Sequence, residues 1–159
     1  MKNSIFAKTI FVNMVLVVAL AVSAAPAAAS APDDVTIVSE MSVPDFSGTF
    51  DASGPAVDAG IICPHGNVYD LEARAVGYQS NRLTNLFVHK RFVCDDESGS
   101  FEMDLNVRLV YSPQETTAEW RVVAGNEAYA RLRGNGKLTA FYPGGEVVID
   151  TYTGDLHND

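Results

Sequence analysis

FEMDLNVRLVY, residues 101–111, decides the fold. Phe101, Met103, Leu105, Val107 and Leu109 alternate with Glu102, Asp104, Asn106 and Arg108. Alternation with period two over this length marks a strand with one buried face. LTNLFVHKRFVC (83–94) before it and TTAEWRVVA (116–124) after it read the same way, so residues 83–124 predict three antiparallel strands. Register can be tested against composition. If residues 95–98 form a four-residue loop, Phe92 opposes Phe101, Val88 opposes Leu105 and Leu86 opposes Val107, while Arg91 faces Glu102 and His89 faces Asp104. Apolar pairs and opposite charges then fall together, as cross-strand energetics favour. A five-residue loop would set Phe92 against Glu102 and turn the strand over. A four-residue loop at 112–115 sets Leu109 against Ala118, Val107 against Trp120, Leu105 against Val122 and Arg108 against Glu119, and keeps the same face inside.

Lys90 breaks the apolar face, between Val88 and Phe92 and opposite Met103. A buried lysine is costly unless paired, which makes it a site candidate together with Met103 and Trp120. Alternatively its stem packs inside while the ammonium reaches a barrel rim.

Outward from this run the chain divides into four parts. Residues 1–29 carry Lys2 and Lys8, an apolar run over 10–21 and then Ala and Pro, the pattern of a secretory signal peptide with small-residue cleavage options after Ala24, Ala27 or Ala29. Residues 30–45 form a lead-in with a short strand at 35–38, residues 46–154 form the β domain, and residues 155–159 form a frayed tail. Export implies a secreted or periplasmic protein, with no membrane attachment once the signal is removed. Without Lys2 and Lys8, 9 basic residues face 20 acidic ones, a net charge of 9 − 20 = −11. So acidic a domain is unsuited to nucleic acid or anionic lipid. Cys63 and Cys94 are the only cysteines, and an even pair in an exported chain reads as a disulfide.

Within the domain, residues 46–54 read as a strand with Gly48 allowing close packing, Pro55 and Asp58 mark a turn, and residues 60–63 form a short strand ended by Pro64-His65-Gly66. Residues 67–76 fit strand or helix, and the β surroundings favour strand. Residues 125–134 predict one helical turn capping a barrel end. Residues 137–141 and 146–152 predict a hairpin with Phe141 facing Glu146, Leu138 facing Ile149 and Lys137 facing Asp150. Seven or eight short strands joined by hairpins predict an all-β, antiparallel up-and-down barrel of about eight strands. Such a barrel is either filled by side chains or holds one small ligand.

The segment WRVVAGNEAYARLRGNGKL, residues 120–138, resembles part of the allene oxide cyclase and dirigent-like barrels: a glycine turn, an aromatic, a short basic stretch, then Gly-x-Gly into a strand. Asn126-Glu127 stand where that family has Thr-Gly. The resemblance implies an eight-stranded barrel, often a homo-oligomer, and transfers no catalytic residue.

Three constellations remain. His89 and Asp104 form a pair that can orient an imidazole for acid–base work if the polar face lines the lumen, and an exposed charge ladder if it does not. Tyr129, Arg131 and Arg133 could hold an anion at a barrel mouth or pair with the protein's own carboxylates. The acids at 95–97 lack calcium-loop spacing, and His65 and His157 are too scattered for a metal centre. No nucleophile elbow, phosphate loop or dinucleotide fingerprint occurs, so neither cofactor nor metal is implied. The leading expectation is a secreted barrel that binds a small apolar or amphipathic ligand, or a protein partner, without catalysis. The alternatives are a cofactor-free cyclase or isomerase and a structural or inhibitory surface protein.

Overall fold

The computed structural model describes residues 33–159; the expected signal peptide lies outside them. Eight strands close into one antiparallel barrel in chain order: β1 (Asp33–Ser42), β2 (Ser47–Ser53), β3 (His65–Ala75), β4 (Leu83–Cys94), β5 (Ser100–Tyr111), β6 (Gln114–Gly125), β7 (Leu132–Gly144) and β8 (Val147–Asn158). Closure by β1 against β8 leaves no open sheet edge. The expected all-β up-and-down barrel is the observed fold.

The β4–β5 register is the expected one, with Phe92 paired to Phe101, Leu86 to Val107 and His89 to Asp104. The β5–β6 register differs. Tyr111 pairs with Gln114, so the turn is Ser112-Pro113, with a cis peptide bond, and Trp120 faces Leu105 rather than Val107. A slip of two residues keeps every side chain on its face, so alternation alone does not resolve it. Arg108 consequently faces Thr117, and Glu119 faces Asn106.

The last hairpin needs a larger correction. Leu138 pairs with Tyr152 and Ala140 with Asp150, and the register shifts between Phe141 and Gly144. This odd offset from the expected pairing turns Asp150 inward and Ile149 outward. The lead-in is a full barrel strand, with Val35, Ile37 and Met41 buried. The tail is not frayed, because β8 runs to Asn158 and buries Leu156 completely. Residues 60–63 form no strand; they follow the short helix α1 (Pro55–Asp58) and bury Ile61, Ile62 and Cys63. The Pro64-His65-Gly66 turn is absent, since β3 begins at His65.

The two barrel ends differ. At one end Phe92 stacks on Phe101 at 5.0 Å between ring centroids, and Phe50, Tyr152 and Tyr129 pack edge-on to that pair. Tyr129 belongs to the 3-10 turn Glu127–Tyr129, the capping turn expected over 125–134. The Cys63–Cys94 disulfide fastens α1's loop to β4 at this end. The bond marks a chain that folds outside a reducing cytosol. No helix among the described residues is long and apolar enough to cross a membrane. The other end, where the β1–β2, β3–β4, β5–β6 and β7–β8 turns meet, is open.

Candidate functional site

The open end leads into a cavity of about 330 Å3, at the small end of the range typical of ligand pockets, roughly 300–1,000 Å3. Its walls follow from the alternation of the strands. Leu86 and Val88 of β4, Leu105 and Val107 of β5, Leu138 of β7 and Val148 of β8 all point inward. At the mouth, Val43 and Phe46 from the β1–β2 turn stand beside Tyr142, whose hydroxyl lies 3.1 Å from Thr116 Oγ1. Phe46 is half-exposed and has a φ of 51°, a left-handed conformation that costs a non-glycine residue about 1–2 kcal/mol. Tyr78, Tyr111 and Phe141, on or beside the other three turns at this end, are also exposed.

Among the described residues, three charged groups line the cavity. Lys90 is 4% exposed. Its Nζ lies 2.7 Å from Asp70 Oδ1 and 3.4 Å from Asp150 Oδ2, and it donates to Met41 Sδ at 2.9 Å. Tyr152, buried completely, donates its hydroxyl to Asp150 Oδ2 at 3.3 Å. Burial pushes the Asp150 carboxyl above its ordinary value, although Lys90 pulls in the opposite direction. Burial, followed by the Asp150 charge, pushes the Tyr152 phenol far up. The ammonium therefore does not snorkel; it is an inward charge held by two carboxylates.

Two of these groups escape the sequence reading for identifiable reasons. Asp150 is hidden by the odd offset in the last hairpin. Asp70 is hidden by a bulge: Asp70 pairs with Lys90 and Glu72 with His89, leaving Leu71 extra. Inward positions are therefore Gly66, Val68 and Asp70 before the bulge and Ala73 after it. A strand that changes phase midway shows no clean period.

The other candidates are dispersed. Met103 sits opposite Lys90 and is fully buried, but it does not line the cavity. Trp120 is buried, and its Nε1 donates to the Lys137 carbonyl at 3.0 Å. Its ring lies over Gly136 and Gly154, away from the open end. Tyr129 is in the plug at the closed end, with its hydroxyl 2.7 Å from Ser98 Oγ. Arg131 is exposed and Arg133 pairs with Asp159, so neither lines the mouth. His89 faces outward: Nδ1 lies 2.8 Å from Asp104 Oδ1 and Nε2 3.0 Å from Glu102 Oε2, with Arg91 on Glu102 and Arg121 on Asp104. Of the two readings of this face, the external charge ladder is the one observed. The Arg91 hydrogen bond holds the Glu102 carboxyl below its ordinary value. Asp95 accepts from Asn67 and Asp96 from Ser98 at a hairpin tip.

Compared with protein-family models, curated proteins and solved structures, the chain matches none of them. Its chemistry is therefore read from the cavity itself.

Proposed function

We propose that the protein is an exported barrel that holds a small amphipathic molecule in the cavity at its open end, without chemical conversion. One observation carries this reading: aliphatic walls converge on a buried Lys90–Asp70–Asp150 cluster inside a cavity open at one end. The walls supply apolar area and the cluster fixes orientation, the usual division of labour in small-molecule sites. The exposed aromatic side chains at the mouth offer an apolar threshold. The disulfide supports export, as does the signal-like N-terminus. A closed eight-stranded barrel is also the architecture implied by the resemblance of residues 120–138 to the allene oxide cyclase and dirigent-like barrels.

Native mass spectrometry of the protein purified from its own source tests the reading. A stoichiometric small molecule, released on denaturation, is the expected result. Protein that carries nothing and takes up no apolar probe would overturn it.

A second reading has its own support. Asp150 has a raised carboxyl pKa and lies beside Lys90 and Tyr152, an arrangement able to move a proton in a water-poor lumen. A cofactor-free isomerase or cyclase would use it so. Recovery of the bound molecule in two isomeric forms, reduced to one by Asp150→Asn, would favour this reading over simple binding.

A further inference from the structure

The charge inside the cavity is unbalanced. Among the described residues that line it, Lys90 is the only cation, and Asp70 and Asp150 are the only anions. One ammonium therefore serves two carboxylates, at 2.7 Å and 3.4 Å. Carboxylates accept hydrogen bonds and cannot donate them when ionised. In surroundings this apolar, a third anion would add repulsion that solvent screens only weakly, whereas a second cation would give two charges of each sign.

Resting on the reading that the cavity holds a small molecule, we propose that its ligand is an apolar chain ending in a cationic amine. The amine lies against Asp70 and Asp150 beside Lys90, and molecules ending in a carboxylate are rejected. The aliphatic walls between mouth and floor accept the chain, while the floor reads the head. Entry is tail-last. An uncharged hydroxyl head satisfies the acceptors without correcting the charge, so it ranks between amine and carboxylate.

The test is isothermal titration of the disulfide-intact protein at neutral pH with decylamine, decanol and decanoate, each below its micellar concentration. Decylamine is expected to bind one per chain, at least tenfold tighter than decanoate, and to displace decanol. Because the protein is acidic, surface attraction of any cation must be separated from binding inside. Repeating the titration at high salt does this, since exposed charge is screened and buried charge is not. Asp150→Asn should narrow the amine-to-carboxylate ratio by about tenfold. Should that variant fail to fold, the salt series and the one-to-one stoichiometry on the native chain decide. Decanoate or decanol binding as tightly as decylamine overturns the proposal, as does amine binding at several per chain that vanishes in salt. If none of the three binds, the small-molecule reading itself falls, and this proposal with it.

Discussion

At Asp150, burial outweighs the pull of Lys90, so its carboxyl retains a proton to higher pH in the folded chain than in the unfolded one. The folded state thus binds more protons between the two pKa values. The stability this contributes is fully present below the unfolded value and is lost as pH rises through the folded one. Asp150→Asn, which mimics the protonated form, should therefore gain stability relative to the native chain as pH rises from about 4 towards neutral. Urea melts of both proteins across that range check this, and a gap that closes with rising pH would contradict it. Lys90 behaves differently. A lysine that merely snorkelled could be exchanged for methionine at little cost, but here Lys90→Met strands two largely buried carboxylates. Its removal should cost roughly 3–5 kcal/mol at neutral pH. Adding Asp70→Asn and Asp150→Asn should restore most of that, as read by chemical denaturation.

Among the elements, β7 and β8 pair two glycines, Gly136 with Gly154. A Cβ on Gly154 would collide with the Asn135 carbonyl oxygen and lie 2.6 Å from Trp120 Cζ2. Gly154→Ala should cost about 3 kcal/mol or more, since one obstacle is backbone and cannot rotate away. Trp120→Phe should not rescue it, and full rescue in thermal melts would show that only the ring is in the way. On the outer face of β4 and β5, Glu102→Gln should cost less, about 0.5–1 kcal/mol. Because Arg91 holds the Glu102 carboxyl down, this contribution is present above the unfolded pKa and lost as pH falls through the folded one, opposite in sign to Asp150. The same strands show what the sequence can reveal. Polar and apolar residues alternate along most of β4 and β5, so their register and inner face are legible, and so is Lys90 as the exception. The β5–β6 slip is invisible because it preserves the faces. The two partners of Lys90 are invisible because each lies beside an interruption, the Leu71 bulge in one case and the irregular end of the last hairpin in the other. The cation can be found by counting; its anions require the fold.

For the whole molecule, the disulfide is a tie across 31 residues, and loop-closure entropy puts the value of such a tie at about 3.7 kcal/mol. Replacing Cys63 and Cys94 together by serine should lower the denaturation free energy by about that amount. Denatured, non-reduced protein should show no free thiol on titration. Two thiols found there would contradict the bonded pair. Because the disulfide and the rings of Phe50, Phe92, Phe101, Tyr129 and Tyr152 seal one end, the barrel is a cup and not a tube. Whatever enters must leave by the same door, head first in and tail first out, with no through-flow to sweep it along. Residence time is then set at the four turns around the doorway. Changes there, at Phe46 above all, should alter the rates of loading and release together and leave their ratio nearly fixed.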